Sequence, residues 1–400
     1  MNAKRYFKID TKSHAFASLN PKEKILVTEG LEIVKKYIAD KAKADNQKNF
    51  EEVLSGMVKE QEAGRNDLFM EKLVKYALEC AGEQIGDEFD IACVKNPMIH
   101  KNPMFTQKFN AVLAQIITPI VPAVISTEYM GLADVANIGW GETAKFQVRS
   151  NDTYFVTKYA EGILDGSVQR LYNSELVVSP EPYGIKTTVD WYQVAAGIFD
   201  LGDFVYKIGA SFSNYISLMI VAALKKHVTA NPGGYFVNGF SSANWAKMAE
   251  LVSAANGGAH VNAYGTLTAL MSVLPGTGAS SVVLNLQQGL GKEWTEVGYL
   301  GRYFGVDTIR TPQIILPGTV NSMTAQTPLG LPDDTIYFFA DGGYKPVKLV
   351  FEGSTLTLDI IPTDSPDKEM GVDVQMRMGM TLVNASKFGA ITGIVAPTGA

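Results

Sequence analysis

The chain has 400 residues, 46% of them hydrophobic and 19% charged, which is typical of a globular protein with two or three domains. A net charge of -6 and a pI near 5.4 argue against a large basic surface for nucleic acid, although local basic patches stay compatible with them. The two cysteines, Cys80 and Cys93, form no repeated pair, so the sequence favours a reducing compartment over a disulfide framework.

Neither of the two segments that could direct the chain to a membrane has the right composition. The N-terminal stretch MNAKRYFKID carries charges where a secretion signal needs an apolar core. The uncharged run AVLAQIITPIVPAVIS is about 16 residues long, shorter than a bilayer span, and is interrupted by Pro119 and Pro122. We therefore expect a cytosolic protein with no membrane contact.

Charged residues are concentrated towards the N-terminus. Residues 1–110 hold about 35 of them and residues 111–400 about 41, so the density falls more than twofold past Asn110. The first part predicts helices with thin apolar stripes, the first of them capped by Asn20 with Pro21 in its first turn. The predicted helices are NPKEKILVTEGLEIVKKYIADKAKA, NFEEVLSGMVKEQ and DLFMEKLVKYALECAGEQI, and KNPMIHKNPM with its two Asn-Pro steps is predicted to be a linker.

The middle of the chain changes from extended segments to one long helix. Residues 139–191 contain the predicted strands AKFQVRS, TYFVTKYA, SELVVSP and YGIKTTVDWY. The following stretch of about 28 residues lacks proline and repeats apolar residues at intervals of three and four, which predicts a helix of roughly 40 Å. Asp200 or Asp203 can cap its start, and Lys225, Lys226 and His227 suit its C-terminal end.

The last part of the chain predicts alternating helices and strands. SANWAKMAELVSAA and VNAYGTLTALMSVL have helical spacing, QQGLGKEWTEVGYLGRYFG is helical or turning, and SSVVLN has the composition of a short buried strand. Further strands are DTIRTP, TIYFFA, KPVKLVFEG and STLTLDIIP, the middle two joined by an Asp-Gly-Gly turn. In the final stretch, GVDVQMRMGMTLVNASKFGAITGI, the methionines at even positions share one face, which favours a buried strand over a metal-binding cluster.

Motifs for catalysis or cofactor binding are missing from the sequence. Four histidines, His14, His100, His227 and His260, stand far apart without metal-ligand spacing, and no GxSxG elbow occurs. GLGKEW lacks the upstream glycine and the Ser or Thr of a phosphate-binding loop. PGTGASS and the acidic pairs Asp333–Asp334 and Asp364–Asp367 are typical of turns. We therefore predict no catalytic, cofactor-binding or metal-binding residues, no cofactor and no enzymatic activity.

The order of elements resembles the major capsid protein of tailed bacteriophages, the Hong Kong 97-like fold. The resemblance covers roughly residues 105–395 and rests on that order and on SSVVLN, the step from Gly305 to Pro312 in YFGVDTIRTP, and the terminal strand. It implies an α+β fold with a long spine helix, peripheral and axial domains and an extended β-hairpin loop. The implied division is a charged helical arm or scaffold-like segment at 1–104, the start of the shell domain at 105–138, the hairpin loop at 139–191, the peripheral domain at 192–261 and 353–400 with its spine helix at 200–227, and the axial domain at 262–352.

The implied function is self-assembly into an icosahedral shell that encloses double-stranded phage DNA. The partners expected from the resemblance are the chain itself as pentamers and hexamers, a portal, scaffold or cement proteins, and packaged DNA held by non-specific contact. The expected location is the virion capsid, after assembly in the bacterial host cytoplasm. Aromatic residues of the hairpin loop fit an interface core. They are Trp140, Phe146, Tyr154, Phe155 and Tyr159.

Two alternatives remain from the sequence. An encapsulin-type nanocompartment shell is the first, although such shells usually lack a charged helical segment ahead of the fold, and an α/β enzyme without a linear motif is the second. Some relatives cross-link a loop lysine to an asparagine of the peripheral domain, for which Lys145 or Lys158 and Asn384 would be the candidates. The resemblance also predicts that GVDVQMRMGMTLVNASKFGAITGI is a core strand, and we expect the N-terminal segment to be retained as helices packed on the shell domain or a neighbouring subunit.

Overall fold

The protein is described from a computed structural model. The structure describes residues 19–46, 57–83, 102–124, 133–148, 154, 156, 174–190, 193–194, 196, 198–230, 235–273, 297–316, 329–342, 345–360, 369–382 and 388–394. The chain divides into two compact units. The first comprises Met1–Ser126, Glu181–Ser213 and Gly353–Arg377, and the second comprises Thr127–Pro180, Asn214–Glu352 and Met378–Ala400.

Three helices pack on one another in the first unit. They are α1 (Pro21–Asn46), α2 (Met57–Cys80) and α3 (Pro103–Val124). Their shared core is apolar, with Leu31, Phe69, Leu73, Phe109 and Ile116 almost fully buried. Gly30 lies so close to Ile116 and Phe69 that a Cβ atom there would overlap the Ile116 side chain. The thin apolar stripes of the sequence are therefore satisfied by helix–helix contact.

The helix boundaries differ from the prediction at two places. The sequence predicted two helices separated by residues 62–66, but Met57–Cys80 form the single helix α2, so that division was wrong. The second Asn-Pro step of the predicted linker begins α3, because Asn102 Oδ1 accepts a hydrogen bond from the Met104 N–H at 3.0 Å and Pro103 fits a first helical turn. The rest of KNPMIHKNPM lies outside the described residues. The predicted start of α1 after Asn20 is confirmed.

The predicted long helix is confirmed as α4 (Leu201–Ala230). Asp200 caps it, since its Oδ1 accepts hydrogen bonds from the N–H groups of Gly202 and Asp203. Length and composition would also suit a membrane span, but half of the apolar window is buried within the protein, as in a core helix. Buried residues follow the three- and four-residue spacing of one helix face. They are Leu201, Val205, Ile208, Phe212, Ile216, Ile220, Leu224 and Val228.

A six-stranded mixed sheet with two helices forms the core of the second unit. The strands are β5 (Phe236–Asn238), β6 (Val261–Gly265), β7 (Arg302–Tyr303), β8 (Val306–Arg310), β9 (Ile336–Ala340) and β12 (Phe388–Thr392), and the helices are α5 (Ser242–Ala255) and α6 (Leu267–Met271). The strand order is β5-β12-β9-β6-β8-β7. Trp245 and Met248 of α5 are fully buried against Phe338 and Ile391 of the sheet.

The remaining strands form a second sheet and a separate hairpin. They are β1 (Ala133–Ile138), β2 (Ala144–Val148), β3 (Ser174–Val178), β4 (Glu181–Asp190), β10 (Val347–Ile360) and β11 (Glu369–Leu382). The four-stranded sheet has the order β1-β10-β11-β4, with β1 parallel to β10. Among the described strands, β2 and β3 pair with each other alone and run antiparallel.

Three predictions about this part of the chain were wrong. VNAYGTLTALMSVL is not one helix, because its first residues form β6 between β8 and β9. TIYFFA and KPVKLVFEG do not form a hairpin, since β9 and β10 belong to different sheets, and STLTLDIIP continues β10. The final stretch forms two strands, β11 and β12, although the predicted burial of its even positions is confirmed at Met376 and Met378. SSVVLN lies outside the described residues, and of TYFVTKYA the structure describes only Tyr154 and Val156, neither of them in a strand.

Candidate functional site

The hairpin of β2 and β3 presents one covered and one exposed side. Ala144 and Val178 are directly opposite in the register and both are buried, and they form a small apolar cluster with Val350 of β10. Phe146 and Ile138 pack against the same cluster. Period-two alternation of the strands explains this, because every second side chain points to the same face. The hairpin is therefore held to the second unit by its base.

Two buried charges lie beneath the base of the hairpin. The Lys348 side chain is only 4% exposed, and its Nζ lies 2.7 Å from Asp134 Oδ2 and 5.6 Å from the centre of the Phe146 ring. Glu352, four residues further along β10, accepts a hydrogen bond from the Gly141 N–H at 2.7 Å. Buried charges are tolerated only when paired, so these contacts fix β1 and the turn before β2 against β10.

Beyond that base, large apolar side chains are exposed to solvent. Trp140 is 51% and Val177 52% exposed, and Tyr154 and Val156 of the loop between the strands are 56% and 99% exposed. A two-stranded hairpin is marginally stable alone, and a group of exposed apolar residues on a protein surface marks an interaction site. Of the aromatic residues predicted for an interface, Trp140 and Tyr154 are exposed, Phe146 is half-buried in the base, and Phe155 and Tyr159 lie outside the described residues. Their role in an interface stays a prediction.

The candidate cross-linking residues are only partly described. Lys145 is exposed on β2, and its Nζ lies 3.5 Å from Glu175 Oε1 on β3. Lys158 and Asn384 lie outside the described residues. A cross-link between a loop lysine and Asn384 therefore stays a prediction.

The structure describes two of the four histidines, His227 and His260. His227 is half-buried at the end of α4 against the rings of Phe236 and Phe388, and burial lowers its pKa below the usual value. His260 Nε2 lies 3.0 Å from Asp307 Oδ2, and this contact, aided by Arg302, lowers the pKa of the Asp307 carboxyl. His14 and His100 are outside the described residues. In the part of the chain that the structure describes, no three His, Cys, Asp or Glu side chains are grouped to hold a metal ion.

The other predicted turn residues have ordinary partners. Asp333 accepts a hydrogen bond from Gln313 Nε2 at 2.6 Å, and Asp334 accepts one from the Thr335 hydroxyl. PGTGASS, GLGKEW and the Asp364–Asp367 pair lie outside the described residues.

A polar centre joins the three N-terminal helices. Glu23 of α1 is 6% exposed and accepts hydrogen bonds from the Tyr76 hydroxyl of α2 at 2.7 Å and from Lys108 Nζ of α3 at 3.0 Å. Burial alone would raise the pKa of the Glu23 carboxyl, but these bonds and one from the Asn20 N–H outweigh it, so the pKa is lowered. Burial, together with the hydrogen bond to Glu23, raises the pKa of Tyr76.

The first turn of α4 is held by α1 and α2. Asn66 of α2 is buried, donates from Nδ2 to the Phe199 carbonyl at 2.7 Å and accepts at Oδ1 from the Leu201 N–H at 3.2 Å. The Tyr37 hydroxyl of α1 donates to Asp203 at 3.0 Å, and the Tyr37 ring packs against Gly202. Both the nitrogen and the oxygen of the Asn66 amide are hydrogen-bonded here, which ties α2 to the start of α4 within the first unit.

These polar centres were not predicted from the sequence. Lys348 interrupts an otherwise apolar strand, VKLVF, and that interruption was a usable signal for a buried pair. Glu23 three residues after Asn20 has the spacing of a capping box, which indicates the hydrogen bond to the Asn20 N–H but not the contacts with Tyr76 and Lys108. For Asn66 no local signal existed, since its partners are more than 130 residues away along the chain.

Comparison with known protein families assigns the chain to one of them. The profile of the family described as "SPbeta prophage-derived putative capsid protein YonB" matches residues 50–392. This chain belongs to the YonB family. The match spans every described element from α2 to β12, which leaves out α1, and it makes this YonB-family chain a protein of a phage capsid. The predicted α+β class is confirmed by the structure, and the family agrees with the predicted Hong Kong 97-like capsid fold.

Solved structures similar to this YonB-family chain are distant. The capsid of a native GTA particle is 12% identical with a TM-score of 0.47, covering 68% of this chain and 91% of that one. The mature capsid of bacteriophage PhiM1 is 12% identical with a TM-score of 0.46, covering 67% and 87%. The capsid of cyanophage P-SCSP1u is 12% identical with a TM-score of 0.45, covering 67% and 88%. No curated protein sequence matches the chain, so the family match alone carries the assignment.

Proposed function

We propose that copies of this chain assemble into the closed icosahedral shell that encloses the double-stranded DNA genome of a tailed phage. The observation that carries the proposal is the family match over residues 50–392, which includes every described element from α2 to β12. A shell protein works by self-complementary surfaces repeated by symmetry, and it requires no catalytic pocket.

The exposed side of the hairpin supports self-assembly. Trp140, Tyr154, Val156 and Val177 are all more than half exposed, although each is a residue type that proteins usually cover. The hairpin pairs with no third strand among the described residues, so a neighbouring copy would both cover these side chains and stabilise the strands.

The domain roles follow from the same proposal. Residues 139–191 act as the extended loop that reaches a neighbouring subunit, and α4 acts as the spine of the peripheral domain. Residues 262–352 form the axial domain, and residues 1–104 form a helical arm that is retained. The rigid hydrogen bonding of Asn66 and Tyr37 to the first turn of α4 supports retention, because removal of these helices would uncover a packed face.

The remaining partners and the location are part of the proposal. The chain forms pentamers and hexamers with itself, joins a portal and scaffold or cement proteins, and contacts packaged DNA without sequence preference. Assembly takes place in the cytoplasm of the bacterial host, the mature protein resides in the virion capsid, and the protein carries no enzymatic activity. An encapsulin-type compartment is disfavoured, because the matched family is described as prophage-derived.

Microscopy of the purified protein tests the proposal. The full chain, expressed alone and together with the neighbouring genes of its prophage, is expected to form closed particles, rings or capsomers visible by negative stain. Nuclease-protected DNA inside particles from induced cells separates a virion from a cargo compartment. Light scattering that detects only a 43.4 kDa species at high concentration in both preparations would contradict the proposal.

A further inference from the structure

A second exposed apolar feature lies at the tip of the β7–β8 hairpin. Tyr303 and Val306 are register partners, so Phe304 and Gly305 form a two-residue turn. Both have positive φ, 46° and 77°, as a type I′ turn requires. Phe304 is 64% exposed.

The residue type at this tip is unfavourable for the turn. Type I′ turns prefer Asn-Gly, because a positive φ brings the Cβ of a bulky side chain too close to its own backbone. Among the described residues, Phe304 is the one non-glycine residue with positive φ. An aromatic ring that is solvent-exposed and backbone-strained adds little to the stability of the monomer, and such strain is typical of residues kept for a function.

The base of the hairpin holds the Phe304 ring in a fixed place. Tyr303 is 5% exposed, its hydroxyl lies 2.8 Å from the Ser242 hydroxyl, and its carbonyl accepts a hydrogen bond from Trp245 Nε1 at 3.1 Å. The Phe304 ring meets the Tyr303 ring edge to face at 4.7 Å. The hydrogen bonds of Tyr303 fix the base of the turn, and the ring contact restricts the Phe304 side chain, which lowers the entropy it would lose on binding.

Polar residues adjoin the aromatic tip. Asp307 on β8 is paired with Arg302 on β7, whose Nε lies 2.7 Å from Asp307 Oδ1, and with His260 at 3.0 Å. All three are exposed, and their charges largely cancel. A rigid aromatic anchor beside a balanced polar rim is the arrangement of a protein–protein hot spot, whereas stacking on nucleic acid calls for an excess of positive charge.

We propose that Phe304 is an anchor that inserts into a second copy of this chain during shell assembly. The proposal rests on the proposed function, because a protein that builds a closed shell from its own copies offers a second copy at every interface. β7 has only two residues, so addition of a strand at this edge would gain few hydrogen bonds, and the contact is made by the Phe304 side chain.

Phe304→Asn tests the proposal, because asparagine relieves the strain and removes the ring. The thermal midpoint of the unassembled variant is expected to equal or exceed that of the wild type, while the protein concentration needed for assembly rises at least about tenfold. Phe304→Tyr keeps the ring and the strain and is expected to assemble like the wild type. The readouts are differential scanning calorimetry below the assembly concentration and light scattering with negative-stain microscopy above it.

The other possible outcomes of the Phe304→Asn experiment distinguish failure of this proposal from failure of the proposed function. Assembly of Phe304→Asn at the wild-type concentration would overturn the role of Phe304 and leave the shell function intact. A lowered thermal midpoint of Phe304→Asn with a proportionate loss of assembly would show that Phe304 stabilises the fold. Normal assembly with loss of retained DNA would show that Phe304 contacts nucleic acid. Either result overturns the proposal. A wild-type chain that never self-associates would overturn this proposal and the proposed function together.

Discussion

Lys348 and Asp134 face each other as register partners on the parallel strands β10 and β1, with Nζ and Oδ2 2.7 Å apart. The two ends of this ion pair differ in burial, since the lysine side chain is 4% and the aspartate side chain 53% exposed. The pair lies beneath the base of the hairpin and beside Phe146. Because the two partners differ in burial, removing the lysine and removing the aspartate should change the free energy of unfolding by different amounts.

Asp134→Asn is expected to destabilise the protein more than Lys348→Met. Asp134→Asn leaves the buried Lys348 ammonium without its carboxylate, which costs about 1–3 kcal/mol. Lys348→Met removes the buried charge and leaves the Asp134 carboxylate, which water can solvate, so its cost is about 1 kcal/mol or less. Urea unfolding of the unassembled variants measures both. The double variant is the control and is expected to match Lys348→Met, and an equal loss in both single variants would contradict the argument.

Asn66→Ala is expected to lower the free energy of unfolding by about 2–4 kcal/mol. The change leaves the buried Phe199 carbonyl and the Leu201 N–H without hydrogen bonds at the start of α4. Leu68→Ala on the same helix is the matched control, because Leu68 is 59% exposed and its loss should change the free energy by about 0.5 kcal/mol or less. Equal effects of the two substitutions would show that the Asn66 hydrogen bonds do not stabilise the first unit.

The Glu23 carboxyl predicts a specific pH dependence. Its folded pKa is lowered from the usual 4.5, so its contribution to stability is fully present above about pH 4.5 and is lost as the pH falls through the folded pKa. The wild type should therefore exceed Glu23→Gln in free energy of unfolding at pH 6, and the difference should shrink between pH 4.5 and pH 3. Urea unfolding at four pH values gives both curves. Parallel curves would show that the pKa of Glu23 is not lowered in the folded state.

Local patterns were sufficient for elements that bury one face along their own length. The three- and four-residue spacing located α4 to within three residues at its end, and Asn20-Pro21 located the start of α1. Alternating residues placed β2 and β3 in the hairpin. In these segments the side-chain period itself carries the information, because burial on one face requires that period.

The wrong predictions come from contacts between distant parts of the chain. Residues 62–66 were predicted as a break between two helices, yet α2 runs through them, and Asn66 has its hydrogen-bond partners at the start of α4. Val261–Gly265 has apolar spacing compatible with a helix, but pairing on both sides with β8 and β9 makes it a central strand. The Asp-Gly-Gly step after β9 is a strong hairpin signal, and only the two separate sheets show that β10 pairs elsewhere. Local propensity is overridden in each case by long-range pairing.

Shortening the hairpin loop is expected to abolish assembly without unfolding the protein. Val148 and Ser174 are the last register partners of β2 and β3, so an Asn-Gly turn can replace residues 149–173 with the paired strands kept intact. The replacement leaves Ser174–Val178 and all of β4 in place.

The readouts are circular dichroism with thermal unfolding for the fold and negative-stain microscopy for particles. The control variant keeps the native length of the loop and replaces residues 157–170 with a Gly/Ser linker. It tests whether assembly needs the length of the loop or its sequence. Normal shells from the variant with the Asn-Gly turn would remove the loop from the assembly surface.

The last prediction is that the N-terminal helices stay in the mature shell. Cleavage between Glu83 and Asn102 would separate α1 and α2 from the rest of the chain. Lys108 of α3 would then lose its contact with Glu23, which is itself bonded to Tyr76. The start of α4 would lose its hydrogen bonds with Asn66 and Tyr37. The buried side chains of α3 would lose the core they share with these helices.

Peptide mass spectrometry of mature particles, with intact mass as a second readout, is expected to detect residues 19–83 in the shell subunit. A variant that begins at Asn102 is expected to aggregate or to unfold at lower temperature, since large apolar surfaces without cover drive association. The matched control removes only residues 1–18, which precede α1, and should keep the wild-type thermal midpoint. A mature subunit that begins near residue 100 in stable particles would show that these helices act as a removable scaffold, with their hydrogen bonds to α4 serving the precursor alone.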